Sequence, residues 1–257
     1  MSIIFPSPIF GPIQSRRLGV SLGINLLPST GKVCSFDCIY CECGLNEANR
    51  PTSPLPTREE VKNALEKQLK KMCVDQKLPD VITFAGNGEP TIHPEFAQII
   101  DDTLALRDQY APEAKVSVLS NATFLHRTDT VEALRKVDNN ILKLDTVDMP
   151  FIQWVNQPNC KYDVAQVIEQ MKVFDGDLII QTLFLKGFHK GKSVNNTGAE
   201  FVEPWMAQLR AINPKQVMIY TLDRDTPVKG LEKATPEELN RIGNQLKELG
   251  FEVSIGY

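Results

Sequence analysis

Seven short apolar runs, six of them followed by an amphipathic stretch, constrain this chain more than any other feature. The runs span residues 20–26, 81–85, 115–119, 140–144, 178–185, 216–221 and 251–255. In the first amphipathic stretch Thr57 and Glu60 form a capping box, and Val61, Leu65, Leu69 and Met72 recur at three- and four-residue spacing. Further helices are expected over residues 93–108, 129–136, 163–174 and 201–212, and a last one starts after Thr235 with Pro236 in its first position. Strands alternating with helices imply right-handed βαβ crossovers and a parallel sheet. Six such units plus one terminal strand are too few to close an eight-stranded barrel and too regular for two domains. A single α/β domain over residues 1–257 is therefore predicted, with residues 1–19 as an N-terminal extension.

At 257 residues the chain can bury one sizeable core. Hydrophobic residues at 42% and charged residues at 23% are ordinary for a globular domain. The net charge of −4 gives no global reason to expect nucleic acid or an anionic membrane as partner. The apolar runs are far too short to span a bilayer, and the longest is interrupted by Gln181 and Thr182. The opening MSIIFPSPIFGPIQSRR places basic residues after the apolar ones, the reverse of a signal peptide. A cytoplasmic location and no membrane partner are expected.

In parallel α/β folds the loops at the carboxyl ends of the strands carry the site, and the loop after the first strand is the most telling. Cys34-Ser-Phe-Asp-Cys38-Ile-Tyr-Cys41 places three thiols at spacings of four and three, and Cys43 follows closely. Cysteines so crowded, in a chain with no export signal, suit metal ligation better than disulfides. Thiolates hold iron–sulfur clusters, and a 4Fe-4S cube gripped at three corners leaves one iron open. The plainer reading is a zinc knuckle, but zinc wants four ligands and no second pair follows at finger spacing.

Polar residues mark the other strand ends. Gly86, Asn87, Gly88 and Glu89 end the second; glycines there let backbone carbonyls approach a ligand, and a carboxylate beside them can accept from an ammonium group. An ordinary strand-to-helix turn starting at Pro90 is the bland alternative. Ser120 and Asn121 follow the third strand, Lys143 and Asp145 end the fourth, Gln181 and Thr182 interrupt the fifth, and Tyr220 ends the sixth. Such residues need partners when buried, either a ligand or a network of neighbours. Residues 186–200, long, polar and glycine-rich, are expected to form an active-site loop. Its Lys186, His189, Lys190 and Lys192 suit either phosphate or RNA binding, or a solvated lid.

CxxxCxxC with an aromatic residue, Tyr40, just before the third cysteine resembles the signature of radical S-adenosylmethionine (SAM) enzymes. The resemblance implies a partial (βα)6 barrel of the radical SAM type with an extra C-terminal strand. It implies a 4Fe-4S cluster on Cys34, Cys38 and Cys41, with SAM chelating the open iron. Reduction by a flavodoxin- or ferredoxin-type donor would then break a C–S bond, giving methionine and a 5′-deoxyadenosyl radical that abstracts hydrogen from substrate. Gly86–Glu89 is similar to the family's GGE motif, with Asn87 where many members have glycine, which implies contact with the amino group of SAM. Ser120, Asn121, Lys143, Asp145, Gln181 and Tyr220 sit where relatives contact the rest of SAM. Residues 11–25 and 219–227 look like an uncharacterised subgroup related to the tRNA wyosine-forming (4-demethylwyosine synthase) enzymes. A tRNA base is thus one candidate substrate; a glycyl-radical protein, a small metabolite or a peptide are others. Oxidoreductase and transferase chemistry both stay open.

Cys43 reads as a fallback ligand, a redox thiol or, since its spacing is cramped for the same cube, a nearby non-ligand. Cys73 and Cys160 are isolated and read as small buried hydrophobes. No second set of three cysteines exists, so the second cluster of the wyosine enzymes has no evident ligands. Arg16 and Arg17 either contact a substrate anion or are solvated. The rival from another class is a non-catalytic iron–sulfur or zinc redox sensor, which would not respond to SAM.

Overall fold

Runs such as Val-Ile-Thr-Phe at residues 81–84 favour extended backbone, and the helices between them force neighbouring strands to run the same way. The computed structural model describes residues 2–15 and 19–257, so Arg16 and Arg17 lie outside the described residues. In chain order the strands are β1 (Ile9–Ser15), β2 (Gly19–Ile24), β3 (Val81–Phe84), β4 (Lys115–Ser120), β5 (Asn139–Lys143), β6 (Ile179–Leu183), β7 (Leu185–His189), β8 (Lys192–Ser193), β9 (Gln216–Tyr220), β10 (Leu231–Lys233) and β11 (Val253–Gly256). The helices are α1 (Arg58–Val74), α2 (Phe96–Tyr110), α3 (Thr128–Leu134), the single turn α4 (Met149–Phe151), α5 (Val164–Lys172), α6 (Ala199–Ile212) and α7 (Pro236–Glu248).

Eight strands form one sheet in the order β1-β2-β3-β4-β5-β6-β9-β11. β2, β3, β4, β5, β6 and β9 are the six predicted barrel strands, and β11 is the extra C-terminal one; all pair in parallel. Leu22, Ile24, Ile82, Phe84, Val116, Val118, Leu142, Ile180, Val217 and Ile219 are buried in the core that packs the sheet against the helices. Burying each such side chain contributes about 1.5–3 kcal/mol. The alternate positions point to the opposite face. There Ile141, Ile179 and Met218 form a small apolar floor; Thr83, Ser117 and Gln181 add polar positions, and Lys143 and Tyr220 stand at the carboxyl ends of their strands. Both predicted caps form: the Glu60 N–H donates to Thr57 and the Glu238 N–H to Thr235, each at 3.2 Å. No helix among the described residues is long and apolar enough to cross a membrane.

The structure corrects several sequence expectations. The N-terminal extension supplies β1, which pairs antiparallel with β2 and covers that edge of the sheet. Residues 186–200 are not a loose lid: β7, β8 and β10 make a small antiparallel sheet, and Lys186 pairs with Glu238 at 3.0 Å. The expected helix at 93–108 starts only at Phe96, because His93 precedes Pro94 and is held in extended backbone. Cys73 and Cys160 are exposed rather than buried; Cys73 lies off the α1 stripe of Val61, Leu65, Leu69 and Met72 that faces the core.

Candidate active site

The cysteine loop follows β2 and is stitched to two other segments. The Val33 N–H donates to the Asn87 carbonyl at 2.9 Å and the Glu89 N–H donates back to Val33 at 3.1 Å. Gly88 permits this approach: its φ is +135°, and a Cβ there would stand 1.9 Å from the Val33 carbonyl oxygen. On the other side, Asp37 and Ile39 donate to the carbonyls of Asn156 and Val155 at 3.0 and 2.9 Å. Those carbonyls belong to a π-helical turn, Ile152–Asn156, that continues α4 and ends at Gln157 in the left-handed region. Such turns re-aim a side chain within a helix, and this one carries Asn156.

Two of the three signature sulfurs meet a side-chain amide donor, and the third lies in the field of a buried ammonium. Asn121 Nδ2 lies 3.7 Å from Cys34 Sγ, and Asn156 Nδ2 lies 3.6 Å from Cys38 Sγ. Lys32, bonded to Asp37 and to the Gly44 carbonyl of the same loop, acts on Cys41 through its charge. Sulfur-directed N–H groups of this kind tune iron–sulfur clusters and orient their ligands. Among the described residues no three His, Cys, Asp or Glu are grouped as ligands of one metal ion. A cube, by contrast, takes its thiolates at separate corners. The donor set of three thiols in one loop, with amide partners at Cys34 and Cys38 and the Lys32 charge acting on Cys41, fits a 4Fe-4S cluster.

The thiols differ in their surroundings. Burial pushes Cys34 and Cys38 up. Cys41 is drawn down to about 6, chiefly by the thiol of Cys43 and then by Lys32. Cys43 itself is buried, and its thiol donates to the Gly86 carbonyl at 3.3 Å. Burial opposes the charge on Lys32, but the sulfurs of Cys41, Cys34 and Cys38, with Asp37, more than offset it, so this ammonium is held above its ordinary value.

The predicted site residues fall into three groups. Tyr40, Lys143 and Asp145 come together beside Cys38: the Tyr40 hydroxyl donates to Asp145, and Lys143 donates to both. Asn156 completes this group, 3.0 Å from Tyr40 Oη and 2.9 Å from Asp145 Oδ2. Burial, then the Asp145 charge, pushes the Tyr40 hydroxyl well up, so it stays protonated. Burial works against the Lys143 ammonium, but Asp145 and Cys38 outweigh it and hold the group above its usual range. Tyr220 is close enough to act electrostatically on both Tyr40 and Lys143. Gln181 is half-buried in register with Lys143 on the same face of the sheet.

Glu89, Ser120 and Asn121 form the second group, beside Cys34. The Glu89 carboxylate accepts from Ser120 Oγ at 2.8 Å, the Asn121 N–H at 2.6 Å, and the Thr91 N–H and hydroxyl at 3.1 and 2.5 Å. Burial pushes its carboxyl up, against those bonds. Oε1 takes three of these donors and Oε2 one, so Glu89 ties β3 to β4 through its side chain.

Asn87 turns the other way. Its amide bonds the carbonyls of Phe5 and Pro28 at 2.9 and 2.8 Å and accepts from the Phe5 N–H at 2.8 Å, which pins the N-terminal segment. Thr182 donates to the Leu144 carbonyl at 2.7 Å, so a protein network satisfies it.

Sequence reasoning missed Lys32, Asn156, Asn25 and Asn196. Asn25, fully buried, joins β2 to the N-terminal segment through Phe5 and Pro6 at 3.3 and 3.2 Å. Asn196 donates to the carbonyls of Asp145 and Leu183 at 3.2 and 2.8 Å, fixing the backbone of the Cys38 group. The one available signal was Lys32 itself, two residues before Cys34.

Comparison with known proteins agrees with this geometry. The model of the radical SAM superfamily matches residues 29–188, more than half of the chain. A UPF0026 protein of Helicobacter pylori is 29% identical over 238 residues, covering 91% of this chain and 72% of that protein. A radical SAM methyltransferase from Sphaerobacter thermophilus superposes with a TM-score of 0.66 at 14% identity, covering 91% of this chain and 65% of that one. The structure of TYW1 with a lysine–pyruvate adduct bound gives a TM-score of 0.62 at 13% identity, over 89% of this chain and 73% of that one. At these identities the solved structures show the fold, and the fold, the cysteine loop and the matched residues agree: this chain is an enzyme of the radical SAM superfamily, whose cofactors are a 4Fe-4S cluster and SAM.

Proposed function

We propose that this enzyme cleaves SAM reductively at a cluster held by Cys34, Cys38 and Cys41, and uses the resulting radical to take a hydrogen atom from its substrate. One observation carries the reading: the three sulfurs share one loop, with amide donors directed at those of Cys34 and Cys38. When bound, the cluster and SAM supply one-electron chemistry, in which a C–S bond breaks to give methionine and a 5′-deoxyadenosyl radical. A flavodoxin- or ferredoxin-type donor delivers the electron.

The chain's own residues bind, orient and shield. The backbone carbonyls of the Gly86–Glu89 turn and Glu89 Oε2, which among the described residues accepts only the Asn121 N–H, would meet the amino group of SAM. Lys143, with 18% of its side chain exposed, and the neighbouring Gln181 would face the ribose. Tyr40 and Asn156 hold Asp145 in place behind them. The test is anaerobic incubation of the reconstituted protein with SAM and dithionite, followed by chromatography. Equal amounts of 5′-deoxyadenosine and methionine are expected, and none from a variant with Cys34, Cys38 and Cys41 all changed to alanine. Failure of the fully loaded wild type to form them overturns the reading.

A further inference from the structure

Lys32 is a charged side chain that the folded chain places indoors: only 1% of it is exposed. Burying an ammonium costs heavily unless partners meet it, and here the cysteine loop supplies two. Lys32 donates to the Gly44 carbonyl at 2.7 Å and to Asp37 Oδ1 at 3.1 Å, both within the cysteine loop. Its charge acts on Cys41, Cys34 and Cys38. Asp37, the compensating carboxylate, is 22% exposed and spends the same oxygen on the Asn46 N–H at 2.8 Å. The pair is thus lopsided: the cation faces the cysteines, and the anion is partly screened by water. Asn121 and Asn156, the donors at the sulfurs of Cys34 and Cys38, are neutral amides.

We infer that Lys32 is a built-in counter-ion for the cluster, positioned to favour its reduced state. This rests on the cluster assignment proposed above. Reduction adds one negative charge to the cube. A fixed cation beside one of its ligands, in a dry setting, stabilises that added charge far more than a solvated lysine would. The uncharged amides at Cys34 and Cys38 orient their ligands without supplying a full charge. Lys32 is therefore a positioning residue of a particular kind, acting through Cys41 on the redox poise and not on substrate.

The experiment is an EPR-monitored redox titration of anaerobically reconstituted wild type, Lys32→Arg, Lys32→Gln and Lys32→Met, with iron content measured for each. The proposal expects Lys32→Arg to titrate close to wild type. The neutral variants should need at least a tenfold greater driving ratio for half-reduction, a downward shift of about 59 mV or more for a one-electron couple. Should neither neutral variant take up iron while Lys32→Arg does, the charge is required in the cluster-bound state, as inferred. A neutral variant that titrates like wild type overturns the inference. So does loss of the cluster from Lys32→Arg as well, with the fold intact by circular dichroism, since the lysine would then act by shape. Wild type lacking any 4Fe-4S signal would instead sink the cluster assignment itself, so the two failures are distinct.

Discussion

The side-chain amide of Asn156 reaches the sulfur of Cys38 at 3.6 Å while the same nitrogen holds Asp145 at 2.9 Å. One amide, delivered by a π-helical turn, thereby couples the middle ligand of the cysteine motif to the buried group of Tyr40, Lys143 and Asp145.

That coupling predicts a graded response at position 156. Asn156→Ala leaves buried acceptors unmet, which costs about 1–3 kcal/mol. Asn156→Asp is harsher, because it sets a second carboxylate against Asp145 and the Cys38 sulfur. Denaturant unfolding of the cluster-free proteins should rank them wild type, Ala, Asp, with iron uptake falling in the same order. Equal stability of Asn156→Asp and wild type would contradict the placement.

Gly88 admits no side chain. Its φ of +135° is open essentially to glycine, and a Cβ would lie 1.9 Å from the backbone oxygen of Val33. Gly88→Ala should lower stability by at least about 2 kcal/mol and detach the cysteine loop from β3. Thermal unfolding and iron content of the reconstituted variant read both effects; normal iron content would show that the loop does not depend on this contact.

The Cys43 thiol donates to the Gly86 carbonyl, whereas the sulfurs of Cys34 and Cys38 accept from amides. We expect Cys43→Ser to retain the visible absorption and about four irons per chain, the complement of a single cube. Loss of iron from this variant, with retention in Cys41→Ser, would exchange the roles of the two residues.

Away from the site, Asp102 ties α2 to α1. Arg58 grips it with two bonds at 2.6 and 3.1 Å and Lys62 adds a third at 3.2 Å. The Arg58 bond is the main cause that holds its carboxyl below the usual range. A carboxyl depressed in the folded state contributes stability above its unfolded value, and that stability is lost as pH falls through the folded value. Arg58 and Lys62 are largely solvated, so the contribution is about 1 kcal/mol. Asp102→Asn should therefore be destabilised at pH 7 and match wild type in strong acid. A difference that persists unchanged below pH 2 would rule out the charge as its source.

What could be read from the sequence follows from which interactions are local. The alternation of apolar runs and capped helices is a local pattern, and the six barrel strands, β11 and the caps at Thr57 and Thr235 emerge from it. Cys34, Cys38 and Cys41 are legible because their spacing is itself the ligand geometry. Asn156 is not, since it reaches Cys38 across 118 positions of chain from a turn with no periodicity of its own. Glu89 was legible as a polar strand end, but its four donors come from Thr91, Ser120 and Asn121, and only the folded sheet shows its Oε1 committed. The segment 186–200 looked like a loop because β8 has two residues and β10 lies some forty positions further on. Short antiparallel pairs of distant partners leave little trace in composition.

The central claim is a cube held at three corners whose remaining iron accepts SAM. EPR of the dithionite-reduced protein, recorded with and without SAM carrying 15N in its amino group, tests it most directly. The account predicts that SAM changes the cluster signal and that hyperfine coupling to the labelled nitrogen appears. A reduced 4Fe-4S signal that is identical in both samples, with no coupling, would contradict it.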